Sequence, residues 1–305
     1  AQLLEQDGHD VTVFEARDRV GGRLQTVALP DGGFYEAGGE WIDADHHRVL
    51  GLLAELGLTP ELSLQWPGRV VYRGNFTEDH LDPEMAAAEE SVYDAAVRAC
   101  RELPDEPWLD PALASLDHKS LSGFLDQHAG SEAGRWWMEA VQRSDEGDDT
   151  TRIGLLGWLI GYRHYLQREA GDMSLYRIPG GGGRMCEAIA AKLARPVKFH
   201  HPLTAVRTNE DGVRLEFVKA SAVFHRAVIC LPVSVLPSIH WPGGVAAAKG
   251  EAWPRLGTAR AIKIALRFRT RFWEGTGWSG RMLADRPFQQ IWDGGHAGAA
   301  VLCAY

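Results

Sequence analysis

Residues 10–23 read DVTVFEARDRVGGR, a stretch that holds the residue types needed to grip a nucleotide. Apolar positions alternate up to an acid, Glu15, and a basic loop bearing Gly21 and Gly22 follows at once. A carboxylate closing a parallel strand can accept hydrogen bonds from both hydroxyls of a ribose. Paired glycines let backbone approach a ligand closely, and Arg17 and Arg23 can neutralise a diphosphate bidentately. The competing reading is a surface turn with solubilising arginines; the whole segment favours the nucleotide. In a dinucleotide-binding unit a glycine-rich turn lies about 20 residues ahead of that acid. Here that place falls before residue 1, so the nucleotide site is expected to be incomplete.

A second chemical candidate is Lys263. Residues 259–268 alternate, placing Ile262, Ile264, Leu266 and Phe268 on one face and Ala261, Lys263, Ala265 and Arg267 on the other. Spacing alone makes Lys263 a solvent-facing lysine on a half-buried strand.

The elements that must position these groups follow from periodicity and turn residues. Residues 1–9 read as a helix end stopped by Gly8, and Val11 and Val13 as a strand. Turn residues Asp31, Gly32 and Gly33 lead into Phe34 through Gly39, and residues 46–56 have helical spacing. Short strands are expected at 70–72 and near Phe76. Helices are expected at 83–103, 121–128, 132–143 and 154–167, with a Pro- and Asp-rich link at 104–116. Strand character returns at 175–178. Gly180 to Gly183 precede a helix at 184–194, and strands are expected at 197–200, 204–207, 213–218 and 222–229, then near Met282, Gln290 and Val301. The pattern is α/β with a helical block inserted in it.

Several readings are bland. Adjacent histidines at 46–47 and 200–201 point to different sides and chelate one metal poorly. The acidic run at 145–149 lacks calcium-loop spacing and reads as a solvated helix end. Trp158, Tyr162 and Tyr165, at helical spacing, read as core before pocket. Cys186 and Cys230 read as buried thiols, and the four scattered cysteines suit a reducing, cytoplasmic setting without a metal centre.

The segment VTVFEARDRVGGR resembles the start of the flavin-containing amine oxidase family, which includes monoamine, polyamine and L-amino-acid oxidases. Four further segments are similar to that family in the same order. They are Gly38-Gly39-Glu40-Trp41-Ile42, Arg177-Ile178-Pro179-Gly180-Gly181, residues 201–206 ending at Val206, and residues 256–268 around Lys263. The resemblance implies FAD as cofactor and a Rossmann-like FAD-binding domain, lacking its first strand and GxGxxG turn, with an inserted α+β substrate domain. It implies FAD contacts at Glu15, Ala16, Arg17, Gly21, Gly22, Arg23, Gly38, Gly39, Glu40, Trp41 and Val206. At Gly38 and Gly39 backbone would pass close to the flavin ring; at Val206 it would contact the adenine side. Lys263 becomes the catalytic lysine, reaching flavin N5 through a water. The implied boundaries are 1–65 with 175–240 for FAD, and 66–174 with 241–305 for substrate.

The reaction so implied is oxidative deamination of a primary or secondary amine with O2, giving an imine and peroxide. Family members that act on amino acids carry an arginine after the second glycine pair; Trp41 and Ile42 stand here, which leans toward amines. A related desaturase or protoporphyrinogen-type oxidase, or a non-catalytic remnant or one chain of a processed assembly, are the alternatives. The chain by itself is expected to be inactive.

Composition sets the outer bounds. With 305 residues, 45% hydrophobic and 24% charged, the chain can bury one large core or two ordinary ones. Lys plus Arg total 32 against 41 Asp plus Glu, a net charge of -9 without a basic, aromatic-laced patch, which argues against nucleic acid. The longest apolar stretch, 155–162, is too short to span a bilayer.

Overall fold

The computed structural model describes residues 1–63, 68–78, 81–168, 173–210 and 212–305. The expected boundary between residues 65 and 66 lies outside the described residues.

Strands and helices segregate by sequence. Val11–Val13 was expected as a strand; the backbone there pairs only through the parallel bridge Phe14–Lys198. Hydrogen bonds from Lys198 N to Val13 O, Glu15 N to Lys198 O, His200 N to Arg17 O and His201 N to Glu15 O carry that pairing. The strand expected at 197–200 is reduced to the same bridge: His200 turns into the left-handed region at φ 58°, and the His200 and His201 amides then bond Arg17 O and Glu15 O out of ladder order. Next to it, Leu203–Asn209, Gly212–Phe217 and Ser221–Phe224 form an antiparallel meander. Its core of Val206, Leu215, Phe217 and Ile239 packs on Phe14. The last strand stops at Phe224, five residues short of expectation, and Cys230 beyond it is exposed while Cys186 is only half-buried, so neither is the buried thiol expected.

Two small sheets fix the segments around the second glycine pair. Thr26–Ala28, Phe34–Glu36 and Gly295–His296 form one; Trp41–Ile42, Tyr176–Arg177 and Glu61–Leu62 form the other. A six-stranded sheet gathers Arg69–Tyr72 and Asn75–Glu78 with Met282–Ala284, Gln290–Asp293, Val301–Ala304 and, at its edge, Ile264–Arg267.

The helices Pro83–Arg101, Leu121–His128, Glu132–Glu146 and Leu155–Leu166 bury a common core around Val92, Leu121, Leu125, Met138 and Leu159. Val70 and Leu283 of the large sheet join that core. The first three of these helices start at local side-chain caps, whereas the expected ends at 103, 143 and 167 fall at 101, 146 and 166. Asp82 accepts from Glu84 N, Ser120 from Gly123 N and Ser131 from Gly134 N, while Gly147 closes the third helix in the left-handed region at φ 70°. Trp158 is core, its indole donating to Gln142 Oε1 at 2.7 Å. Among the described residues no helix is long and apolar enough to cross a membrane.

The helix expected from Arg184 begins two residues earlier, as Gly182–Ala191. Its first amides are capped by side chains from two distant, paired strands. Gly182 N donates to Glu36 Oε1 and Gly183 N to Thr26 Oγ1, both at 2.9 Å. A Cβ on Gly181 would meet Thr26 Oγ1 at 2.2 Å, which is why glycine stands there. The glycine tract therefore receives an internal carboxylate at its helix N-terminus.

Candidate functional site

The loop after Glu15 keeps its charged side chains and Gly22 open. Glu15 Oε1 accepts from Arg17 N at 2.8 Å, and Oε2 has no protein partner among the described residues. Ala16, Arg17, Gly22 and Arg23 are exposed. The side chains of Arg17 and Arg23 make no hydrogen bond or ion pair among the described residues. Gly22 lies at φ 55° with nothing within 4 Å of where a Cβ would project. Gly21, at φ 104°, would drive a Cβ to 2.5 Å from Leu24 O. Arg19, which the sequence reading passed over, folds this loop: its guanidinium donates to Val20 O, Gly22 O and Leu24 O at 3.0–3.2 Å.

The second glycine pair is stitched to the end of that loop. Gly39 N donates to Arg23 O at 3.1 Å and Ala37 N to Gln25 O at 2.8 Å. A Cβ on Gly38 would sit 2.0 Å from Arg23 O, so the two backbones can approach only because residue 38 has none. Val206 is buried in the meander, in one cluster with Phe14, which brings it beside Glu15; its own amide donates to His240 O at 3.0 Å.

Lys263 departs from the spacing argument. Residues 259–263 are not strand; the ladder covers only Ile264–Arg267, and Arg260 N instead donates to Gly147 O. The expected apolar face is the open one: Ile262, Ile264 and Leu266 are 73%, 51% and 48% exposed. On the other face Ala261 and Arg267 are also exposed, but Lys263 and Ala265 between them are half-buried, with the Lys263 side chain 8% exposed. Pairing with Val301–Ala304 turns that face toward Trp41 and Trp292, whose rings lie 5.9 and 4.9 Å from Nζ.

What admits a buried lysine is Glu40, whose side chain is 1% exposed. Lys263 Nζ donates to Glu40 Oε2 at 2.9 Å and to Gly38 O at 3.3 Å. Trp292 Nε1 donates to the same carboxylate oxygen at 3.1 Å. Arg177 lies 3.1 Å from Oε1, and His296 Nε2 lies 3.6 Å from it. Burial alone would raise the Glu40 pKa. The His296 imidazole facing Oε1 and the charges of Lys263 and Arg177 outweigh it and hold the carboxyl below its usual range. Behind them, burial pushes the Cys303 thiol up to about 12, so it stays protonated.

The sequence reading assigned Glu40 to cofactor contact and left the side chains of Arg177, His296 and Trp292 without roles. The available signal was an acid placed between a glycine pair and a strand that must be buried; its partners lie 137 to 256 residues away along the chain and have no spacing signature. Elsewhere, Asp43, Asp45 and His46 offer ligand atoms within 4.8 Å of one another, but both carboxylates already bind the Arg168 guanidinium.

The fit to a flavin dinucleotide rests on these features: an open carboxylate oxygen at Glu15, unpaired Arg17 and Arg23, an uncovered Gly22 and a Gly38–Gly39 backbone held against Lys263. The comparisons point the same way. A family profile described as flavin containing amine oxidoreductase matches residues 1–305. The chain is 24% identical to amine oxidase [flavin-containing] A of Canis lupus familiaris over 304 residues, covering 93% of this chain and 57% of that protein. It is 20% identical to an L-amino acid dehydrogenase of Synechocystis sp., covering 95% of this chain and 65% of that protein. The chain thus spans a little over half to two thirds of the length of these curated relatives. Among solved structures, putrescine oxidase bound to putrescine superposes with a TM-score of 0.85 at 21% identity, covering 99% of this chain and 71% of that one. Cyclohexylamine oxidase from Brevibacterium oxydans gives 0.82 at 24%, covering 99% and 70%. With the profile matched from end to end, the chain belongs to the flavin-containing amine oxidoreductase family, whose cofactor is FAD.

Proposed function

We propose that this chain carries the FAD and lysine elements of an amine oxidase acting on a primary or secondary amine with O2. The observation that carries the reading is the bond from Lys263 Nζ to Gly38 O, which joins two motifs 225 residues apart. In this reading Glu15 accepts the ribose hydroxyls. Ala16, the glycines at 21–22 and the guanidinium groups of Arg17 and Arg23 receive the diphosphate. Gly38 and Gly39 present backbone to the flavin ring, Trp41 packs beside it, and Val206 borders the adenine. Bound FAD supplies a hydride acceptor and passes the electrons to O2.

The rest is the work of the chain. Trp41 and Trp292 supply an apolar wall beside Lys263, and apolar surroundings favour the neutral form of an amine, the form able to release a hydride. Lys263 holds a hydrogen-bond donor next to the glycine pair. Where family members acting on amino acids place an arginine, Trp41 and Ile42 offer no cation to a carboxylate, which favours amines. On this reading residues 1–65 with 175–240 form the FAD side and 66–174 with 241–305 the substrate side, so Lys263 and Glu40 meet across the boundary.

The test is a visible spectrum of the purified full-length protein with anaerobic amine addition and peroxide assays over amines and amino acids. Bleaching by an amine, followed by peroxide release on admitting air, is expected. A flavin-loaded protein inert to every amine but active on another substrate class overturns the proposal.

A further inference from the structure

We propose that Glu40 is the positioning residue of this site: its carboxylate pairs with the buried Lys263 side chain and fixes it against the Gly38 backbone. The proposal rests on the functional reading above for its catalytic meaning, but its physical content concerns side chains of this chain alone.

The geometry is that of a clamp. Lys263 has three donors, and two are committed, to Glu40 Oε2 at 2.9 Å and to Gly38 O at 3.3 Å. The third has no partner among the described residues and is free to serve a ligand or water. Glu40 is itself held from three other elements: Trp292 Nε1 fixes Oε2, while Arg177 and His296 face Oε1. Arg177 is anchored in turn, donating to Asp293 O at 3.1 Å and lying over the Trp41 ring. His296 stacks on Phe34 with ring centres 4.5 Å apart. No part of this arrangement depends on a flexible surface side chain.

Charge makes Glu40 the decisive member. Lys263, Arg177 and, when protonated, His296 face one carboxylate, with the Cys303 thiol also nearby and the Asp293 carboxylate on the far side of Arg177, paired with Arg271 at 3.0 Å. A lysine so well buried among aromatic rings sheds its proton unless an anion compensates the lost hydration. Without Glu40, the guanidinium of Arg177 would remain as an uncompensated neighbour and push Lys263 further toward the neutral amine.

The experiment is a pH titration of 13C-labelled lysine side chains by NMR in the full-length protein as purified, with Lys263→Met identifying the resonance. In Glu40→Gln the Lys263 midpoint should move to a pH lower by about one unit or more, a rise of about tenfold in free amine at a fixed pH. Arg177→Met removes the competing cation, so the midpoint should move the opposite way. Glu40→Asp keeps the charge and should titrate near wild type. A midpoint unmoved by Glu40→Gln overturns the proposal; if that variant does not fold, a fall or no change in Arg177→Met does so. In turnover, Glu40→Gln should lower kcat with little change in KM and move the acid limb of its pH profile, and it should add nothing in the Lys263→Met background. A full-length protein that titrates as expected yet oxidises no amine would refute the functional reading and leave the clamp standing.

Discussion

The loop at residues 15–23 holds Arg17 and Arg23 out in solvent, without protein partners among the described residues, whereas Lys263 is enclosed by a carboxylate, two indoles and a backbone carbonyl. Both regions carry charge, yet they accommodate it differently. The loop leaves its charges hydrated, so they cost the fold little and remain available to a ligand. The lysine centre is desolvated, so every charge in it must be matched from within, and the site and the fold share the same contacts. The comparison teaches that loss of ligand binding and loss of stability should separate at the loop and coincide at Lys263.

The strongest way to break that comparison is Glu40→Ala. Removing one partner of a buried ion pair costs roughly 3–5 kcal/mol, whereas Arg23→Ala should stay within about 0.5 kcal/mol. Urea denaturation of both variants checks this, and equal losses would erase the distinction. Next comes Gly38→Ala, which forces a Cβ to within 2.0 Å of Arg23 O. The overpacking should cost about 2–3 kcal/mol; a wild-type melting temperature would mean that the two loops do not touch in solution. Gly22→Ala, with open space but φ at 55°, should cost about 1–2 kcal/mol.

Glu15→Gln sharpens the contrast from the other side. It should weaken FAD by about tenfold, the worth of one charged hydrogen bond, and leave the unfolding midpoint of the flavin-free protein unchanged. Equilibrium dialysis and denaturation on one preparation decide it.

The smallest effect is the pH dependence of stability. The Glu40 carboxyl is held below its ordinary value in the folded state. Its contribution is therefore complete above the unfolded value of 4.5 and is lost as pH falls through the lower folded value. Denaturation below pH 4.5 should show a loss of stability in wild type that is reduced in Glu40→Gln; identical acid limbs would place the titrating group elsewhere.

Much of the architecture was legible in the chain because its determinants are local. The helix Leu121–His128 was read at its observed bounds, while Glu132–Glu146 was read only to 143, three residues short of the stop that Gly147 supplies. The open loop after Glu15 was legible because an acid, two glycines and two solvent-facing arginines stand within nine positions. The strand around Lys263 was read with the wrong face inward. Alternation specifies that two faces differ, but the face that is buried depends on what packs against each one. Here Trp292, Trp41 and Glu40 come from elsewhere in the chain to cover the lysine side, while Ile262, Ile264 and Leu266 are left open.

The residue types alone determined that this chain carries an acid closing an alternating segment, a basic glycine loop, a second glycine pair and a lysine on another alternating segment, because each is a matter of side-chain chemistry over a few positions. Only the tertiary structure decided that Glu40 neutralises Lys263 and that Glu36 fills the helix N-terminus at Gly182. Those pairings join residues 223 and 146 positions apart. A buried charge finds its counter-charge in three dimensions, wherever the packing brings one within reach.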